Sequence, residues 1–194
     1  EKSSPKRPFR GPTSGNILQT VDIGSGDARY LLRQAKKFPD RKYLAVDPKY
    51  HDHQYLLAYT RGAGHAGTLV SIVEKMEKEG TKTRHFNIDM PDHLEIPDIK
   101  HLFSRLPNVL LPGGKIFIST EAAPWFDNLI KLGKSFGLRV TKLSTLEFKH
   151  HARGKTSIMN AFWPIYRATF GYIPQKFEAA KRKRTKIQGV LPKN

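Results

Sequence analysis

Several carboxylates of this chain stand at the ends of apolar runs, where side chains can converge on a ligand without entering a core. Asp22 lies two residues ahead of a Gly24-Ser25-Gly26 turn in "TVDIGSGDARYLL", and Asp47 closes "KYLAVDP" 21 residues beyond Gly26. Asp89 and Asp92 bracket the end of "NIDMPDH", and Thr120 and Glu121 follow "GGKIFIS". A glycine turn after a strand lets backbone approach a ligand closely, and an acid at the end of the next strand can accept both hydroxyls of a ribose. Two phosphate-binding alternatives fail on the residues. A P-loop needs Gly-x4-Gly-Lys-Ser/Thr, which is absent, and a dinucleotide turn needs a third glycine where this chain has Arg29.

These residues need elements to hold them, and the apolar pattern supplies them. Thr20 to Ile23 is β-branched and strand-like; Ala28, Leu31, Leu32, Ala35 and Phe38 then recur on one face of a helix that Pro39-Asp40 ends. "KYLAVDP" is a second strand, stopped by Pro48. Downstream, "GTLVSIVEKMEKEG" reads as helix, "TRHFNIDMP" as strand, and "IKHLFSRLPNVLLPGGKIFIST" as helix, Pro-Gly-Gly turn and strand. The interval between Asp47 and "NIDMP" shows no clear additional strand. A helix over Trp125 to Phe136 precedes "LRVTKL" and "PIYRATF", close enough in sequence to pair antiparallel at a sheet edge. Such alternation predicts an α/β fold with a mainly parallel sheet, helices on both faces and an antiparallel edge strand. Asp22 and Asp47 then meet at its switch point, where a sulfonium bearing an amino-acid tail suits an acidic turn better than a pyrophosphate does. Asp22 would face the ammonium group directly or through water.

Charge is the strongest global signal. The 194 residues hold 34 Lys and Arg against 17 Asp and Glu, a formal net charge of +17 and a pI near 10.1. This is the electrostatic footprint of a polyanion binder, and it weighs against a small-molecule or protein substrate. The cations cluster at the ends, which predicts a basic N-terminal arm (1–15), a domain (16–173) and a basic C-terminal tail (174–194) whose Lys181, Arg182, Lys183 and Arg184 would meet phosphates. That run could equally be a localisation signal. No apolar run is long enough for a membrane helix. The absence of cysteine fits a reducing compartment, the cytoplasm first, with an organelle or the nucleus as alternatives. It also removes thiolate metal sites, and neither His51 and His53 nor His150 and His151 has a third ligand at a convincing spacing, so no metal is expected.

"VDIGSGDA", "YLAVDP" and "LLPGGKIFIST", in that order, resemble the class I S-adenosylmethionine-dependent methyltransferases over about Leu18 to Phe170, with Ala28 where a third glycine is usual. The resemblance implies a Rossmann-like fold that binds S-adenosyl-L-methionine through Asp22, Gly24, Ser25, Gly26, Asp47, Pro48 and Asp89. Within that class, "KKFPDRKYLAVDPKY", "MPDH", "STEAAPWFDNL" and "GKTSIMNAFWPIYRATF" resemble the tRNA methyltransferases that make 7-methylguanosine. By position, Asp92 matches the acid of that family's Pro-Asp-Pro-Trp signature, Thr120 and Glu121 its Thr-Asp pair, and Thr156 the start of its Thr-x-x-Glu element. His93-Leu94-Glu95 and Met159 depart from these signatures. The implied function is methylation of structured RNA, tRNA or rRNA, most specifically a tRNA guanine. Asp92 would hold the base's Watson–Crick edge, Glu121 would assist, and Thr120, Trp125 and Thr156 would contact substrate. Helix capping is the competing explanation for Asp92 and Glu121. The competing function is a methyltransferase-like factor that binds RNA or assembles with a ribonucleoprotein partner, with little or no turnover.

Overall fold

A computed structural model describes residues 17–24, 29–46, 57–59, 68–89, 95–120, 123–150 and 162–189. In chain order the elements are β1 (Ile17–Ile23), α1 (Arg29–Lys37), β2 (Tyr43–Val46), β3 (Leu57–Tyr59), α2 (Thr68–Glu79), β4 (Lys82–Asp89), α3 (Ile96–Val109), β5 (Leu110–Thr120), α4 (Ala123–Ser135), β6 (Arg139–His150), β7 (Phe162–Gly171) and α5 (Pro174–Gly189). The strands form one seven-stranded sheet in the order β3-β2-β1-β4-β5-β7-β6. The pairs from β3 to β5 are parallel, whereas β7 runs antiparallel to both β5 and β6. The expected mainly parallel sheet with an antiparallel edge is therefore present. The interval after Asp47 does hold a strand: β3 is only three residues long and carries no alternating run to announce it.

Side chains paired across the ladder share a face, and the two faces differ. Val21, Phe86, Ile116 and Phe170 are in register and fully buried. They belong to one core with Leu69 and Ile72 of α2, Ile99 and Phe103 of α3, and Phe126 and Leu129 of α4. On the other face α1 places Leu31 and Ala35 against Tyr43 and Ala45 of β2. Leu31, Leu32 and Ala35 of α1 thus point where their spacing predicts, Phe38 just past the helix is partly buried, and Ala28 lies outside the described residues. Helix α3 starts at an N-cap formed by Glu95, whose amide donates to the Asp98 carboxylate at 3.0 Å.

Two details at the amino edge fix the end of the fold. Pro112-Gly113-Gly114 lies within β5 as an irregularity, so that Thr83 pairs with Leu110 but His85 with Lys115. Gly113 there takes a φ of 76°, and its amide donates to the Tyr172 carbonyl at 3.0 Å. The segment expected as a tail is helical to Gly189 and seats Phe177, 2% exposed, beside Phe136 and Tyr172. Arg184 turns inward too, with its guanidinium 4.1 Å from the centre of the Phe136 ring and a bond to the Ser135 carbonyl. Helix α5 lacks a continuous apolar stripe, so a few anchors hold it rather than a periodic face.

Candidate functional site

The carboxyl ends of β1, β2, β4 and β5 lie side by side, and of the described candidates Asp22, Gly24, Asp89 and Thr120 stand along that edge. The chain leaves β1 at Gly24 with φ of 78°, a backbone that side chains rarely tolerate. The Gly24 amide donates to the carbonyl of Val46, the last residue of β2, at 2.8 Å. That bond clamps the turn to the strand that leads into Asp47. From β1 the chain proceeds outward to β2 and β3, and only afterwards returns to β4 on the other side. The crevice at this reversal is where open α/β sheets bind their ligands.

Asp22 is the polar centre of this edge. It is 4% exposed, and its Oδ1 accepts a hydrogen bond from Asn87 Nδ2 at 2.7 Å. The two residues are register partners on adjacent strands, β1 and β4. A carboxylate this buried is costly unless hydrogen-bonded, so Asn87 both satisfies it and fixes its direction. Asn87 was not among the residues singled out by sequence. The available signal was its position in β4, two residues before Asp89 and on the same face, opposite the strand of Asp22.

Of the remaining cofactor candidates, Asp89 ends β4 and its backbone pairs with Ser119. Ser25, Gly26, Asp47 and Pro48 lie outside the described residues, as do Asp92, Glu121 and Thr156. Glu95 rather than Asp92 caps α3. Thr120, the last residue of β5, is 5% exposed and pairs with Tyr166 of β7. Trp125 lies in the first turn of α4 and packs against the core; its shielded Nε1 has no hydrogen-bond partner among the described residues. Phe126 is core, 5% exposed, with its ring 5.4 Å from that of Tyr166.

The four tail cations are not at this edge. Strand β7 descends from Tyr166, opposite Thr120, to Gly171, opposite Lys115, and α5 follows. The start of α5 is thus separated from the carboxyl edge by the ladder from Lys115 to Thr120, roughly 17 Å at about 3.3 Å per residue. Lys181, Arg182 and Lys183 are exposed there, while Arg184 is partly buried. Among the described residues there is no group of His, Cys, Asp and Glu suited to a metal ion, and no helix is long and apolar enough to cross a membrane.

No family model and no curated protein sequence matches this chain. Solved structures do resemble it. A SAM-dependent methyltransferase from Archaeoglobus fulgidus aligns with a TM-score of 0.55 and 13% identity, over 80% of this chain and 86% of that one. A variant of the 16S rRNA (adenine(1408)-N(1))-methyltransferase from Catenulisporales acidiphilia aligns at 0.51 and 16%, over 83% and 89%. A candidate methyltransferase complexed with SAH aligns at 0.52 and 14%, over 84% of this chain and 47% of that one. Together with the strand order, these likenesses define the fold as Rossmann-like, of the class I methyltransferase type.

Proposed function

We propose that the protein is an S-adenosyl-L-methionine-dependent methyltransferase acting on structured RNA, with a guanine of tRNA as the most specific reading. The observation that carries this is the buried Asp22, held by Asn87 beside the positive-φ Gly24 at the point where the strand order reverses. An acid fixed at that position suits the cationic amino-acid end of the cofactor. The glycine lets backbone approach it, and Asp47 beyond β2 accepts the ribose hydroxyls. When bound, the cofactor supplies an electrophilic methyl group on its sulfonium.

The protein's own task is then placement. A guanine ring nitrogen already carries a lone pair, so no strong base is required, and holding it in line is the main contribution. Asp92 accepts hydrogen bonds from the base's Watson–Crick edge in this reading, Glu121 assists, and Thr120, Trp125 and Thr156 border the base. Net charge of +17 supports a polyanionic substrate, and the name of the Catenulisporales protein ties this fold to RNA in one instance. The segments 1–15 and 174–194 act as basic extensions of the domain, α5 spanning Pro174–Gly189 of the second.

The test is transfer of a radiolabelled methyl group to total RNA, with the labelled product sized. Label in a tRNA-sized band that Asp92→Asn strongly reduces, with RNA affinity nearly retained, is the expected outcome. Asp92→Asn transferring at the parent rate removes the assigned role of Asp92. RNA binding without any transfer leaves the assembly-factor reading in its place.

A further inference from the structure

Among the described residues, helices cover the half of the sheet built by β4, β5 and β7 on one side only. Its inner face is the core under α2, α3 and α4. Its outer face carries, by register, His85 and Asn87 of β4, Lys115 and Phe117 of β5, and Arg167 of β7. Among the described residues, the helix on that side is α1, and α1 packs on β2. Phe117 is consequently 37% exposed although β5 is an interior strand with a neighbour on each side. An exposed aromatic in the middle of a sheet is informative in a way that an exposed loop aromatic is not.

The surroundings of Phe117 indicate what could cover it. Lys115 precedes it by two residues and is exposed; Arg167, also exposed, pairs with Ser119 two residues beyond. Arg139 adds a third exposed cation at the amino end, where it pairs with Gly171. The His85 ring stands edge-on to Phe117, with centroids 5.8 Å apart. Asp89 holds the last register position of β4 on this face, opposite Ser119, and the charged side chains described beside Phe117 are the cations Lys115 and Arg167. An exposed aromatic on a face where Lys115, Arg139 and Arg167 outnumber the one acidic position of β4 is complementary to a nucleic-acid strand whose bases stack while its phosphates are neutralised. The same face leads along β4 to Asn87 and the candidate site.

We propose that this open sheet face is a platform for a single-stranded segment of the RNA, with Phe117 stacking on a base and Lys115, Arg139 and Arg167 on the phosphates. The identity of the polyanion rests on the function proposed above, but the platform does not require methyl transfer.

The test uses the full chain with a fluorescent, unstructured RNA oligonucleotide and a hairpin of equal length. Phe117→Leu keeps the apolar bulk and removes the ring, so it should weaken oligonucleotide binding about tenfold and leave the hairpin unaffected. Phe117→Trp should restore binding. Lys115→Gln combined with Arg167→Gln should flatten the salt dependence of binding. Unchanged oligonucleotide affinity in Phe117→Leu overturns the proposal, and so does an equal loss on both RNAs, the mark of a purely electrostatic surface. A parent dimer in sedimentation that Phe117→Leu dissociates also overturns it, because a second copy then covers the face. S-adenosylhomocysteine calorimetry on the same proteins separates the two claims. A parent that binds no cofactor yet loses oligonucleotide on Phe117→Leu keeps the platform and loses the methyltransferase function.

Discussion

At the scale of single residues, the account depends on a pair that only one half of announces itself. Asp22 is visible in sequence because it precedes a glycine turn. Asn87 is not, because an asparagine within a strand carries no signal until β4 is known to lie beside β1. Removing it with Asn87→Ala takes one hydrogen bond from a buried carboxylate, which should lower stability by about 1–3 kcal/mol and weaken S-adenosylhomocysteine binding in parallel. Denaturant unfolding and calorimetry measure the two effects. His85 gives a pH prediction. Burial first, then the charges of Lys115 and Arg84, hold its pKa below the ordinary histidine value. The unfolded chain therefore binds the proton more readily, so this contribution to stability is present above about pH 6.5 and is lost as pH falls below it. Denaturation midpoints between neutral and mildly acidic pH should fall, and His85→Gln should flatten that part of the profile.

At the scale of elements, most of the architecture was legible because apolar period and breakers agree. The helical face after the glycine turn, the stop at Pro39-Asp40 and the strand-helix alternation all reappear in α1, β2 and the parallel ladder. Two elements were not legible, for opposite reasons. Strand β3 is too short to show alternation and is fixed by its ladder to β2. Helix α5 is so rich in Lys and Arg that its composition reads as a solvated tail, and its seat depends on Phe177 and Arg184. Close packing between elements gives a further test at Gly133 of α4, where an added Cβ would lie 2.4 Å from the Phe170 ring of β7. Alanine normally favours a helix over glycine by about 1 kcal/mol. Here the buried ring must move, so Gly133→Ala should instead destabilise by about 1–3 kcal/mol in thermal or denaturant unfolding. At Gly137 the φ of 73° is positive and an added Cβ would lie 2.5 Å from the Lys176 carbonyl oxygen, so no side chain suits it either.

At the scale of the whole molecule, charge and site occupy different places. The candidate site lies at the carboxyl edge of the sheet and the exposed cations of α5 lie beyond its amino edge, so a ligand meeting both must be extended, as a folded RNA is. Neutralising Lys181, Arg182 and Lys183 should therefore leave fold and cofactor affinity unchanged while weakening RNA binding across sequences. Each lost phosphate contact should reduce the log–log salt slope by roughly 0.7–0.9. Arg184→Gln should behave differently, lowering stability by about 1 kcal/mol through loss of its stacking on Phe136. Net charge was readable from composition, but the separation of the basic helix from the site was not, because it follows from the descent of β7. The central claim is that the edge around Asp22 and Gly24 receives S-adenosylmethionine, and titration calorimetry with S-adenosylhomocysteine tests it most directly. The account predicts saturable binding at a single site, weakened by about 1.5–3 kcal/mol in Asp47→Ala as charge-assisted hydrogen bonds to the ribose are lost. Absence of binding to the intact protein, or full affinity retained in both Asp47→Ala and Asn87→Ala, would contradict it.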